Sequence, residues 1–250
     1  MNLKKTVVHE IHEKHEQNQI VHMRHNATRW GSHRMYPIAV FRAFRVFRGQ
    51  IKVFRMNGLE KYWYRITPFH LLLWPVSLLF RLLASLRRTL YRSGVLRSIT
   101  LPVPVIIIGN ISVGGTGKTP FTLWLAQQLL DEGWHPAIIS RGYTKAKHSS
   151  SNTPRAVAMA DSPDEVGDEP LLMAQRNRCP VWIGSDRPAV ALAMLQAHPE
   201  CDVILSDDGL QHYRLQRDIE IVVIDGKRRF GNGLLLPAGP LREPVARLVT

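Results

Sequence analysis

The segment that most constrains this 250-residue chain is Val105-Ile-Ile-Ile-Gly-Asn-Ile-Ser-Val-Gly-Gly-Thr-Gly-Lys-Thr-Pro120. Val103 to Gly109 is apolar and β-branched, which reads as a buried strand, and Pro120 suits the first turn of a helix. The glycines between them let backbone N–H groups close around phosphate oxygens, and the helix N-terminus adds partial positive charge. Ser112, Val113, Gly114, Gly115, Thr116, Gly117, Lys118 and Thr119 are therefore candidate nucleotide-binding residues. Lys118 would reach the β- and γ-phosphates and Thr119 would ligate Mg²⁺, so ATP and Mg²⁺ are the expected cofactors. The pattern departs from G-x-x-x-x-G-K-[ST] at Ser112, where glycine is usual. The plainer alternative is a glycine-rich turn between a strand and a helix.

A formal charge of +13 suggests nucleic acid until the chain is divided. Residues 1–100 hold 18 Lys and Arg against 4 Asp and Glu, whereas residues 101–250 hold 15 against 16. The excess belongs to the N-terminal part alone, and no nucleic-acid module accompanies it. A basic, apolar leader joined to a nearly neutral domain points to a membrane surface. Two cysteines, Cys179 and Cys201, are too few for a disulfide framework and lack metal-ligand spacing, which fits a reducing compartment.

The leader itself divides. Residues 1–55 show no sustained period and read as a poorly ordered basic extension. Residues 56–100 contain an apolar stretch from Ile66 to Phe80, short of the roughly 20 residues that span a bilayer and interrupted by Pro75, a kink site. Leu79, Leu82, Leu83, Leu86 and Leu90 share one helical face, while Arg81, Arg88 and Arg92 lie close together on another. That is an amphipathic helix suited to anionic headgroups, or else one packed on the protein's own core.

Residues 101–250 alternate short apolar runs with helical patterns. Strands are expected at Pro136–Ser140, Cys179–Ile183, Asp202–Asp208 and Ile219–Asp225, with helices from about Pro170 and from about Arg187. A loop rich in Lys, Ser and Asn spans residues 144–154. Such alternation implies an α/β fold, a parallel sheet of the phosphate-loop NTPase type covered by helices on both faces. Ligands then gather at the carboxyl ends of the strands. Asp207 and Asp208 close one strand, a position from which Asp can hold Mg²⁺ or its water, although an Asp pair there is often just a turn. Asp168 and Glu169 precede a helix. As a cap, Asp168 would be a stabilised carboxylate and a weak base.

These motifs together resemble the tetraacyldisaccharide 4'-kinase family. The matching text is VPVIIIGNISVGGTGKTP, ISRGY, GDEP, SDDGLQHYRLQRDIEIVVIDGKRRFGNG and LLPAGPLREP, covering most of residues 103–248 and, more loosely, the helix from about residue 57. In this family the loop itself has the G-G-x-G-K-T form with Ser112. The resemblance implies ATP-dependent phosphorylation of a membrane-embedded lipid A disaccharide precursor at the cytoplasmic face of the bacterial inner membrane, with no obligate protein partner. It implies Lys118, Asp207 and Asp208 around the transferred phosphate and metal, and Asp168 as the group that activates the sugar 4'-hydroxyl. Glu169, Arg141, Arg187, His212, Asn232, Arg242 and Glu243 fall in the matching segments and are secondary substrate-site candidates. The family partner of Asp168 is a His in a C-terminal Asp-His motif, which this sequence lacks. The family also continues past the LREP segment, so the chain reads as truncated, and Met56 has the character of a natural start. Two other readings remain at this point: a partner-regulated switch ATPase sharing G-G-x-G-K-T, and a nucleotide-binding but inert fragment of the kinase.

Overall fold

The computed structural model describes residues 6–9, 19–25, 63, 68–142 and 153–248. Its strands are β1 (Thr6–His9), β2 (Gln19–His25), β3 (Val105–Gly109), β4 (Pro136–Ser140), β5 (Arg155–Ala156), β6 (Val181–Ile183), β7 (Val203–Asp207) and β8 (Ile219–Asp225). Its helices are α1 (Pro68–Arg92), α2 (Lys118–Asp131), α3 (Pro163–Val166), α4 (Asp168–Arg176) and α5 (Arg187–Ala197), followed by a 3₁₀ turn at Val245–Leu248.

The strands form one sheet in the order β1-β2-β8-β3-β7-β4-β6-β5. Strands β8, β3, β7, β4 and β6 are mutually parallel. Both edges are antiparallel, β5 against β6 and the β1–β2 pair against β8, so the sheet is mixed rather than wholly parallel. An antiparallel neighbour needs only a return of the chain alongside its partner, whereas a parallel one needs a crossover. Strands β1 and β2 fall within residues 1–55, where the sequence shows no period. The other residues of that stretch, Met56 and residues 143–152 of the Lys-rich loop lie outside the described residues.

Alternation along each strand builds two cores. Ile106, Ile108, Ile138, Val203, Leu205, Ile221 and Val223 face Phe121, Leu125 and Leu129 of α2 and Met173 of α4. Val105, Ile107, Ala137, Ile139, Ile204, Val222 and Ile224 face Val190, Ala191 and Met194 of α5, with Phe80 of α1 packed alongside. Helices therefore cover both faces, and the central strands are mostly apolar because neither side meets water, with Ser140, Ser206, Asp207 and Glu220 as buried polar exceptions.

Helix α1 runs through Pro75 and attaches by its small and polar side. His70 and Ser77 are buried, while Leu79, Leu82, Leu83 and Leu86 are each more than half exposed. The Ser77 hydroxyl donates to Leu235 O at 2.9 Å and accepts from Ala238 N at 3.0 Å. The same segment then crosses the glycine-rich loop, where Val113 N donates to Pro240 O at 2.8 Å and Arg242 N to Ile111 O at 2.7 Å. Among the described residues, no helix is long and apolar enough to cross a membrane.

The segment ends in a buried charge network. Arg247 donates from Nη2 to both oxygens of Glu220 at 2.6 and 2.7 Å and from Nε to Glu243 at 3.1 Å. Arg217 adds a bond to Glu220 at 3.0 Å. Burial opposes the Glu220 charge, but the two guanidiniums outweigh it and hold the carboxyl down at about 2. Removing Arg247 leaves that buried carboxylate with Arg217 as its one remaining guanidinium. Arg247→Ala is expected to cost about 3–5 kcal/mol in urea denaturation at pH 7. Because the folded pKa is depressed, the network's contribution is present above the ordinary Glu range and lost as pH falls toward 2, so the deficit narrows in acid.

Candidate functional site

The carboxyl ends of β3 and β7 lie side by side, with Ile108 opposite Asp207 in the register. The chain leaving β3 enters the glycine-rich loop, and the chain leaving β7 enters Asp208. Gly114 and Gly117 take φ values of 111° and 78°, a region L side chains rarely adopt, and these turns feed the loop into the first residue of α2. Lys118 opens α2 and turns its ammonium across to β7, donating to Asp208 Oδ1 at 2.8 Å and to Asn110 Oδ1 at 3.1 Å. An ammonium has three donors, so this geometry leaves one for a further acceptor.

Asn110 is absent from the sequence candidates and is central here. It is fully buried, and its amide donates to Thr116 Oγ1 at 3.1 Å and Gly114 O at 3.4 Å, bracing the loop from beneath while its oxygen holds Lys118. Its sequence signal was a polar residue directly after four aliphatics and a glycine. Thr122, one turn into α2, was missed too: its hydroxyl donates to Asp207 Oδ1 at 3.2 Å.

The two aspartates are in different states. Asp207 is buried, and that desolvation pushes its carboxyl up to about 6 despite the Lys118 charge, with Glu169 and Asp208 adding in the same direction. For Asp208 burial also works against the charge, but Lys118 and then Arg242 overcome it and lower the pKa. Arg242 lies 3.4 Å from both Asp208 oxygens. Asp208 itself has φ 48°, a strained backbone that aims its side chain back at the loop.

Asp207 and the Thr119 hydroxyl are hard oxygen donors of the kind magnesium takes. No group of three or more His, Cys, Asp or Glu among the described residues forms a metal cage.

The other candidates are more dispersed. Asp168 and Glu169 form the exposed first turn of α4, capped by Gly167, and Asp168 makes no hydrogen bond or ion pair with another described residue. Glu169 reaches the centre only through its charge on Asp207. Arg141 follows β4 and is exposed. Arg187 is only 1% exposed, and its Nη2 donates to Asp207 O at 3.0 Å and braces the β7 end, while its Nε and Nη1 are buried without a hydrogen-bond partner. Burial lowers it to about 10, partly offset by Asp207 and Asp208. Asn232 holds a turn, donating to Ala238 O and accepting from Leu234 N. Glu243 is buried, accepting from Gln211, Tyr213 and Arg247. His212 is half-buried, and that burial together with Arg187, Arg141, Arg87 and Arg217 lowers its pKa to about 4.

A strand, glycine loop and helix on a parallel-centred sheet, with a lysine at the helix start and an aspartate at the neighbouring strand end, define a phosphate-loop α/β protein. The model of the family described as tetraacyldisaccharide-1-P 4'-kinase (LpxK) matches residues 69–250, and the chain belongs to that family. It is 56% identical over 191 residues to the tetraacyldisaccharide 4'-kinase of Methylobacillus flagellatus, covering 76% of this chain and 56% of that protein. Against the protein of the same name from Herminiimonas arsenicoxydans it is 60% identical over 176 residues, 70% of this chain and 48% of the relative. The crystal structure of "apo" form LpxK from Aquifex aeolicus in complex with ATP is similar at a TM-score of 0.61 and 38% identity, covering 72% of this chain and 56% of that one. The chain thus spans about half the length of the curated relatives it matches.

The cationic surroundings of His212 have a measurable consequence. Its folded pKa lies below the unfolded value, so its contribution to stability is complete above about 6.5 and is lost as pH falls toward 4. After allowance for its partial exposure this amounts to about 1–2 kcal/mol. His212→Gln is expected to remove that part of the acid destabilisation in denaturant titrations between pH 6.5 and 4.

Proposed function

We propose that the chain carries the nucleotide-binding and phosphoryl-transfer half of a kinase that moves the γ-phosphate of ATP to the 4'-hydroxyl of a tetraacyldisaccharide 1-phosphate at the cytoplasmic face of a bacterial inner membrane. The observation that carries this reading is the segment joining Ser77 of α1 to Val113 of the glycine loop. It ties a helix with an unburied leucine face directly to a phosphate-binding loop. A contiguous apolar face of that kind suits an acyl-chain environment, and the arginines flanking it suit anionic headgroups.

In this reading the backbone N–H groups of residues 114–117 enclose the triphosphate. Lys118, steadied by Asn110 and Asp208, directs its remaining donor at the β- and γ-phosphate oxygens. Magnesium, held by Thr119 and Asp207 together with phosphate oxygens, supplies charge neutralisation when bound. The acceptor oxygen forms a bond to the γ-phosphorus as the bond to the β,γ-bridging oxygen breaks. The electron pair leaves on ADP, and the hydroxyl proton passes to Asp168. A carboxylate at a helix N-terminus is a weak base. That is tolerable where the transition state is loose, because the hydroxyl keeps its proton until the new bond is well advanced. Arg187 and His212 act from behind, holding the β7 end and keeping the pocket's charge balance. In this reading residues 56–100 are the membrane-associated segment and residues 101–250 the kinase domain, to whose sheet β2 from the 1–55 stretch adds along β8.

The test is transfer from γ-labelled ATP to tetraacyldisaccharide 1-phosphate in phospholipid vesicles. Lys118→Ala and Asp168→Asn are each expected to lower kcat by at least a hundredfold. Leu82→Glu with Leu86→Glu is expected to raise KM for the embedded acceptor at least tenfold, since two leucines leave the lipid. Label released only as free phosphate would contradict the reading.

A further inference from the structure

The turn after β8 carries three consecutive basic residues, Lys227, Arg228 and Arg229. Lys227 and Arg229 are exposed, but Arg228 is half-buried and faces the glycine loop. Its Nη1 lies 3.3 Å from the point that a Cβ on Gly114 would occupy. The position is fixed by Asp225 at the end of β8, whose Oδ1 accepts the backbone N–H groups of Lys227 at 2.9 Å and Arg228 at 3.0 Å. The other Asp225 oxygen stands 3.7 Å from Arg228 Nε, a loose pairing that orients the guanidinium without saturating it. Among the described residues, neither terminal nitrogen of Arg228 makes a hydrogen bond.

Strand β8 is the parallel neighbour of β3 on the side away from β7. The loop is therefore flanked by Asp207 and Asp208 on one side and by Arg228 on the other. A second arginine, Arg242, is also near, but it is committed to both oxygens of Asp208. Gly114 has φ 111°, which disfavours any side chain, and a Cβ there would press on the guanidinium.

We propose that Arg228 is an arginine finger supplied in cis, donating its fork to the oxygens of the transferred phosphoryl group. This rests on the nucleotide reading of the loop given above. The planar guanidinium offers two parallel donors to phosphate oxygens, and charge that spreads over those oxygens in the transition state is met by a group already in place. Asp225 is its positioning residue.

The test compares magnesium-dependent binding of ADP with that of ADP plus aluminium fluoride, a mimic of the phosphoryl group in flight, by calorimetry on the whole chain. Arg228→Ala is expected to weaken the fluoride complex roughly a hundredfold or more while leaving ADP affinity within about threefold and the thermal midpoint unchanged. Arg228→Lys should recover little, because a point charge does not replace the fork. Asp225→Asn should give an intermediate loss. Equal weakening of both complexes, or no weakening of either, overturns the proposal. Failure of the unsubstituted chain to bind ADP overturns the nucleotide reading and the finger with it. An Arg228-dependent fluoride complex in a chain that passes no phosphate to lipid supports the finger and removes the acceptor.

Discussion

The site depends on one constraint, the parallel pairing of β3 with β7. Register at Ile108 and Asp207 sets the start of the glycine loop beside the exit of the aspartate pair, joining residues 99 positions apart in sequence. From it follow the Lys118–Asp208 ion pair, the Asn110 brace and the Thr122–Asp207 bond. The two-sided aliphatic core is what holds that register. A one-residue slip would turn Ile106 and Ile108 away from α2 and bring Val105 and Ile107 to face it.

The second organising element is the segment from Leu234 to Glu243. It receives Ser77 from α1, bonds the loop through Pro240 and Arg242, and ends in the Glu243–Arg247–Glu220 network on β8. A helix that attaches through His70, Ser77 and Phe80 and leaves Leu79, Leu82, Leu83 and Leu86 outside departs from an ordinary surface helix, whose apolar stripe faces the core. The pattern makes physical sense where the outer medium is apolar, and the proposed lipid acceptor would meet the protein there.

Much of the sheet was legible because its strands are short, aliphatic and bounded by turn residues. Pro136–Ser140 and Ile219–Asp225 match their expected limits, and the loop-to-helix junction falls at Lys118. The antiparallel edges were not, since β5 has two residues and β1 and β2 carry no period that separates a strand from a loop. Residue types identified Lys118, Asp207 and Asp208 as worth attention, but not their division of labour, which comes from burial: one aspartate is dry and the other is charge-paired. Arg187, Asn232 and Glu243 show the converse. Each reads as a ligand-binding type in sequence, yet Asn232 and Glu243 are engaged by the protein's own groups, and Arg187 is buried with one nitrogen on Asp207 O and its Nε and Nη1 without a hydrogen-bond partner. Asn110 carries no such signal, since its role comes from burial beneath the loop and its contacts to Thr116, Gly114 and Lys118.

The central claim is that Lys118, already held by Asn110 and Asp208, presents its third donor to a triphosphate seated on residues 114–117. The most direct measurement is a crystal structure of the chain with magnesium and a non-hydrolysable ATP analogue. A phosphate oxygen is expected within about 3 Å of Lys118 Nζ, with the Asn110 contact retained. Nucleotide bound with its phosphates away from the loop, or with Lys118 turned from them, would contradict it.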